Sequence, residues 1–408
     1  MLNLPKNVLD SGSVQRLAVK LISQGERSVI KGHPWIFSNS IVKVNKEGRA
    51  GDICIIFSKN KNKVIGVGLF DPNSPIRIKM IHHGGGADVN SEFFLQKVKT
   101  AFDKRSTLLE SNTNSYRLLF GENDGFPGLI ADVYSNVLVV KLYSEIWWPF
   151  LGIIIEHLIS ISQSVTVVLR LSRKLQERTT LEVYDGQILY GDLENEVVQF
   201  IEHGVNFSAN VIKGHKTGYF LDHRHNRKQV GELSHGKTVL DVFSYAGGFT
   251  VHALANGAEE VTSVDISGQA LEMAKSNALL NNFTGIHKTL EGDAFEILKT
   301  LIKRKKTFDV VVIDPPSFAK QQTEIVMAKK KYRQLAKLGV RLCSKGGMLV
   351  LASCSSRIAT QAFFDINKQV LIESGRPFET FLKTQHDSDH PIGFPEGAYL
   401  KCGFYSLD

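Results

Sequence analysis

Cysteine is scarce in this chain of 408 residues: Cys54, Cys343, Cys354 and Cys402 are the only four, and they are widely scattered. None forms a Cys-x-x-Cys pair or a Cys/His spacing of the kind zinc needs, so a disulfide scaffold and a metal are both set aside. No uninterrupted apolar stretch approaches the roughly 20 residues that span a bilayer. The opening "MLNLPKNVLDSG" lacks the basic start and long apolar centre of a secretory signal. A cytoplasmic protein without membrane association is expected. There is no internal repeat and no low-complexity tract. With 43% hydrophobic and 22% charged residues, the composition excludes a disordered chain.

What is present is length, a moderate positive charge and a change of rhythm along the chain. A chain this long favours two or three domains over one. The formal charge of +8 suits a phosphate-rich partner, without singling out nucleic acid by itself. From about residue 14 to 90, the runs "DICIIF", "VIGVGLF" and "IRIKMI" are broken by glycines and by "DPNSP", which reads as a small all-β barrel or sandwich, with the triple glycine Gly84 to Gly86 a natural boundary. Residues 91–190 read as a central α+β domain, with helical spacing in "SEFFLQKVKTAFDKRSTLL" and around "WWPFLGIIIEHLISI". From 191 to 408, the apolar runs "KTVLDVFS", "EEVTSVDIS", "FDVVVIDPP" and "GGMLVLAS" alternate with helical segments such as "ALEMAKSNALLNN". That rhythm predicts an α/β, doubly wound, mainly parallel sheet, with its ligands beyond the carboxyl ends of the strands. The final "GAYLKCGFYSL" reads as an antiparallel edge strand.

Strand "TVLDVF" runs into "SYAGGFT" and then a helix, so Gly247 and Gly248 allow backbone to approach a ligand or simply allow tight packing. The next strand ends at Asp265, 24 residues after Asp241, where a carboxylate can accept from both hydroxyls of a ribose. Asp293, in "EGDAFEIL", closes a third strand within reach of an exocyclic amine. A dinucleotide site needs G-x-G-x-x-G for its pyrophosphate, and this turn lacks it. A nucleoside cofactor without phosphate, S-adenosyl-L-methionine, fits better.

The motifs "DVFSYAGGFTVHAL", "VDISGQALEMAKSNALLN", "EGDAFEIL", "VVIDPPSFAK" and "ASCSS", in this order, resemble those of class I S-adenosylmethionine-dependent methyltransferases. With "KGHPWIFSNSI", "GENDGFPGLIADVY" and "KTGYFLDHRHNR" upstream, nearly the whole chain is similar to the bacterial 23S ribosomal RNA 5-methylcytosine methyltransferases that carry an N-terminal PUA domain. The resemblance implies a Rossmann-like C-terminal domain, a PUA barrel at the N-terminus and ribosomal RNA as partner, with a homodimer left open. It places Asp265 at the cofactor ribose, Asp293 near the adenine, and Phe243, Tyr245 and Gly247 beside the methionine part, with Ile266, Ser267, Ala294 and Asp314 also among the cofactor-binding residues. Phe220, Asp222 and Arg224 would form a pocket wall, although "HRHNR" also reads as a solvated basic helix start.

Carbon 5 of cytosine is too weak a nucleophile to take a methyl group unaided, and a thiolate adding to carbon 6 makes it enamine-like. Cys354, after the strand "GGMLVLAS", is the candidate nucleophile; Asp314, opening "DPPS" on the neighbouring strand, is the candidate group for ring N3. Ser353, Ser355 and Ser356 are candidates to hold the base, and Phe318 to stack on it. The wider cytosine-C5 class often has a second cysteine after the two prolines, where this chain has Ser317. Cys54, Cys343 and Cys402 read as packing residues. Lys31, Gly32 and His33 are candidate RNA contacts, Trp35 and Phe37 read as core, and "KRKK" (Lys303 to Lys306) and "KKKYRQLAK" add positive charge. Two other readings compete: methylation of an exocyclic base nitrogen, which "DPPSF" also suits, and a non-catalytic RNA-binding assembly factor.

Overall fold

The computed structural model describes residues 2–5, 13–59 and 62–408, so residues 6–12 of the opening stretch lie outside it. The chain forms two compact units. One contains the chain up to Ile201 together with Ser208–Leu221 and Ser388–Gly397; the other contains Glu202–Phe207, Asp222–Asp387 and Ala398–Asp408.

The first unit holds two sheets. Six strands between Arg16 and His83 form a mostly antiparallel sheet around Leu17, Val19, Ile36, Cys54, Ile56, Ile78 and Met80. A helix not expected from the sequence, Ser23–Ile30, packs its Val29 into that core. A five-stranded sheet follows between Ser115 and Tyr190, and the helix Ser91–Asp103 packs Phe94 and Val98 into its core. The segment Glu145–Ser162 is long and apolar enough, by length and composition alone, to cross a membrane. In this fold its Ile146, Trp147, Leu151, Ile154, Ile155 and Leu158 are core residues of the unit.

The second unit is built on seven strands: β1 (Thr238–Val242), β2 (Glu260–Asp265), β3 (Ile286–Glu291), β4 (Phe308–Ile313), β5 (Cys343–Ser353), β6 (Phe378–Thr384) and β7 (Lys401–Leu407). Their order is β3-β2-β1-β4-β5-β7-β6. The first five are mutually parallel, and β7 is antiparallel to both β5 and β6. Unbroken apolar runs such as "VVVI" suit strands covered on both faces by helices. The expected edge strand at the C-terminus is instead interior, because β6 pairs along its outer side. Six helices connect or flank the strands: α1 (Arg224–Glu232), α2 (Gly248–Ala255), α3 (Gly268–Leu279), α4 (Ala294–Lys303), α5 (Ile325–Leu342) and α6 (Thr360–Glu373). The order reverses between β1 and β4, so the crevice at their carboxyl ends is where such a sheet binds ligands.

Candidate active site

The turn after β1 is shaped by backbone geometry. Phe243, Tyr245 and Gly247 all have left-handed φ values of 66°, 49° and 78°. A Cβ on Gly247 would lie 2.8 Å from the Cβ of Ala274 on α3, so glycine here serves close packing as well as the turn. Asp265, at the end of β2, clamps this turn: its Oδ2 accepts from Tyr245 N at 2.9 Å and its Oδ1 from Ser267 N at 2.9 Å. Ser267 in turn caps α3 by accepting from Ala270 N, and Ile266 projects into solvent. Asp293 caps α4 through Glu296 N, leaving it exposed beside the buried Ala294.

Beneath the turn, Asp241 is fully buried, with Oδ2 accepting from Thr250 N at 3.0 Å and Thr250 Oγ1 at 2.7 Å. Burial pushes its carboxyl up to about 7 against those stabilising bonds. Its Oδ1 and the Oγ of Ser244 are buried with no hydrogen-bond partner among the described residues. Unmet buried polar atoms are costly, and these two lie where a polar cofactor would meet the turn. The residues fit a nucleoside cofactor carrying a polar amino-acid end.

The nucleophile and acid candidates come from adjacent parallel strands. Val312 pairs with Val350 and Ile313 with Leu351, which puts the exits of β4 and β5 side by side. Asp314 leaves β4, and Cys354 leaves β5 with its Sγ 3.7 Å from the carbonyl of Pro315. Among the four cysteines only Cys354 is partly exposed; the other three are buried. Burial, then the negative charges of Asp314 and Asp222, push its thiol up to about 12. Cys343 is also held up, to about 12, by burial.

Behind Asp314 stands His223, which lies within "LDHRHNR" but carries no motif of its own in the sequence. Its Nε2 is 3.4 Å from Asp314 Oδ1, and Asn226 Nδ2 lies 3.0 Å from its Nδ1. With the amide N–H donating to Nδ1, the ring proton sits on Nε2, at ion-pair distance from Asp314 but outside hydrogen-bond geometry. Burial pulls the imidazole down, but the negative charges of Asp314 and Asp222 leave it above its ordinary value. Asp222 itself accepts from Tyr399 Oη at 2.9 Å.

Other expected site residues sit elsewhere than read. Arg224 is not on a pocket wall or in solvent: it is fully buried, 3.3 Å from Asp387 and 3.9 Å from Glu202, because its guanidinium needs carboxylates once inside. With Arg227 also clamped by Glu202, the "HRHNR" helix start is interior rather than a solvated basic face. Ser353 and Ser355 do not face a base: they are buried, donating to Tyr332 Oη at 2.9 Å and to the Ala319 carbonyl at 3.4 Å. Ser356 is exposed. Phe318 packs against Tyr332 with Lys331 Nζ 4.9 Å from its ring centroid.

Phe220 belongs to the first unit and is partly exposed. There, Lys31 and Gly32 are exposed at the end of the first helix, and His33 lies 3.6 Å from Glu396. Trp35 Nε1 donates to Glu122 at 3.1 Å, while Phe37, expected in the core, is 42% exposed because strand alternation turns it outward from Ile36.

Fold and site together suit a group-transfer enzyme, with a strand switch point fit for a nucleoside cofactor and a cysteine on the neighbouring strand exit. A family model described as S-adenosylmethionine-dependent methyltransferase matches residues 117–372, and one for a PUA-like domain matches 19–83. A ribosomal RNA large subunit methyltransferase from Deinococcus radiodurans is 38% identical over 98% of this chain and 99% of its own. A ribosomal RNA large subunit methyltransferase I from Aeromonas salmonicida is 34% identical over 94% and 97%. A SAM-dependent methyltransferase from Streptococcus mutans superposes with TM-score 0.78 at 21% identity, covering 95% of this chain and 99% of that one. The chain belongs to the S-adenosylmethionine-dependent methyltransferases, in the large-subunit ribosomal RNA methyltransferase family with an N-terminal PUA-like domain. Its cofactor is S-adenosylmethionine.

Proposed function

We propose that this enzyme forms 5-methylcytosine in 23S ribosomal RNA, in the cytoplasm, through a covalent adduct between Cys354 and carbon 6 of the target base. The observation that carries the reading is the meeting of Cys354 with the Asp314-Pro315 turn at the carboxyl ends of adjacent strands. The thiolate adds to carbon 6 while Asp314, backed by His223, directs a proton to ring N3, so the electron pair of the 5,6 double bond becomes available at carbon 5. S-adenosylmethionine supplies the methyl group that carbon 5 then takes. Loss of the carbon 5 proton re-forms the double bond, breaks the carbon–sulfur bond, and returns the N3 proton. An exocyclic-nitrogen methyltransferase needs no thiol, and a partly exposed cysteine at this turn favours the carbon 5 reaction over it.

In this reading Asp265, Ile266 and Ser267 hold the ribose, Asp293 and Ala294 the adenine side, and Phe243, Tyr245, Gly247, Asp222 and Asp314 the methionine side. Lys31, Gly32 and His33 contact RNA from the PUA-like domain, taken as residues 14–90, followed by a central domain, 91–190, and the methyltransferase domain from 191. Phe318 contacts the flipped base. The test is incubation of the protein with labelled S-adenosylmethionine and unmodified ribosomal RNA, then mass mapping of the product. Label on carbon 5 of one 23S cytosine is expected; label on an exocyclic nitrogen, a protein or a metabolite contradicts the proposal.

A further inference from the structure

A basic row on α5 stands against the Asp314 loop, and neither the cofactor turn nor the methyl-transfer scheme uses it. The row is Lys329, Lys330 and Lys331, all exposed, one turn into the helix. Lys331 Nζ lies 4.9 Å from the centre of the Phe318 ring, in the loop that leaves β4 through Asp314. Tyr332, next along α5, meets the same ring at 5.2 Å and accepts at 2.9 Å from the hydroxyl of Ser353, the residue before Cys354. Lys331 is therefore held over the loop leaving β4, and its neighbour touches the end of β5. The charge of the row has no partner within the protein. Further along α5, Arg333 and Lys337 are both neutralised by Glu373 of α6. Between Phe318 and Arg333 the one acidic side chain is Glu324, which accepts from the backbone N–H groups of Lys320 at 2.6 Å and Gln321 at 3.0 Å. Among the described residues, no carboxylate forms an ion pair with Lys329, Lys330 or Lys331. A run of lysines in solvent is ordinary, but a cation resting on an aromatic ring is already partly ordered before a ligand arrives.

We propose that Lys331 binds the 5′ phosphate of the RNA nucleotide that is methylated, so that the RNA backbone passes over the start of α5. This rests on the target base entering between the loops that carry Asp314 and Cys354. A base flipped into that position leaves its phosphate outside, where Lys331 is the cation in contact with the loop. An ammonium is a compact point charge suited to a phosphate oxygen. An aromatic ring beside a basic side chain is also the pairing with which proteins hold unpaired strands, the ring taking a base and the cation the backbone. Lys329 and Lys330 add to the positive potential along the same face.

The test is equilibrium binding of the full-length protein to a ribosomal RNA fragment that spans the methylated nucleotide. A second fragment carries a methylphosphonate in place of that nucleotide's 5′ phosphate, which removes one charge at one position. At low salt the methylphosphonate is expected to weaken binding to wild type about fivefold and to leave binding to Lys331→Ala nearly unchanged. On the unmodified fragment, Lys331→Ala should reduce the slope of log affinity against log salt by about 0.7, while Lys331→Arg, which keeps the cation, follows wild type. Equal losses from the methylphosphonate in wild type and Lys331→Ala overturn the proposal, as does an unchanged salt slope. Alanine favours the helix at an exposed position, so the variant keeps its fold. The fragment is chosen by which nucleotide gains the methyl group, whichever of its atoms carries it, and binding is read without turnover. Failure of the carbon 5 scheme therefore shows in the mass mapping and leaves this comparison intact.

Discussion

Cys354 differs from the other three cysteines by where it emerges. All four have raised thiol pKa values, chiefly through burial, but Cys354 alone is partly exposed and meets the Asp314-Pro315 turn. Replacing it by alanine is expected to lower methyl transfer by at least about three orders of magnitude. Cys343→Ala, in the core beside α5, should cost about 1 kcal/mol of stability and leave turnover unchanged. Steady-state kinetics on both variants, with urea unfolding as control, makes the comparison; equal turnover in the two contradicts it.

Asp241 gives a pH prediction of definite sign. In the folded protein its carboxyl titrates near 7, whereas an unfolded aspartate titrates near about 3.9. The folded state therefore binds the extra proton, and the contribution is complete below the unfolded value and lost as pH rises through 7. Between pH 4.5 and 8 the urea midpoint of the wild type should fall relative to that of Asp241→Asn. Parallel curves would show that this carboxyl is ionised throughout.

At the scale of elements, the turn between β1 and α2 is the one that the proposed reading sets against the cofactor, and its shape depends on Gly247. An alanine there meets Ala274 and must hold a left-handed backbone, so Gly247→Ala should cost about 1–3 kcal/mol. Titration calorimetry is expected to show weaker S-adenosylmethionine binding as the turn is pushed off α3; unaltered affinity would mean that the turn relaxes without moving the site.

The same scale explains what could be read from the sequence. Parallel neighbours announce themselves: "VVIDPPS" and "LVLASCS" are apolar runs ending in polar residues, and the α/β rhythm aligns their exits. His223 is not legible in it because its approach to Asp314 depends on long-range placement. His223 arrives from a loop ahead of the sheet. Arg224 and the two flanking serines depart from expectation because polarity suggests exposure, whereas each has a buried partner. Phe37 departs for the opposite reason, as an aromatic in an apolar run that alternation turns outward.

For the whole molecule, the net charge of +8 is the property that RNA meets first. Lys303 ends α4 and Arg304, Lys305 and Lys306 follow it, all exposed, and Lys329, Lys330 and Lys331 line the exposed side of α5. Neutralising phosphates releases counterions, so binding should weaken steeply with salt. Replacing Lys303, Arg304, Lys305 and Lys306 by alanine should reduce the slope of log affinity against log salt by about 0.7 for every phosphate these side chains neutralise. Filter binding over a salt series reads this directly, and an unchanged slope assigns the cluster to solvation alone.

The central claim is the covalent adduct, and a substrate that cannot complete the cycle tests it most directly. In a ribosomal RNA fragment with 5-fluorocytosine at the target position, fluorine replaces the proton that must leave carbon 5, so the adduct should persist after methyl transfer. With S-adenosylmethionine present, a denaturation-resistant protein–RNA species is predicted, with mass mapping placing the nucleotide on Cys354. Normal methylation of the unfluorinated fragment with no trapped species, or a trapped species on any other residue, would contradict the account.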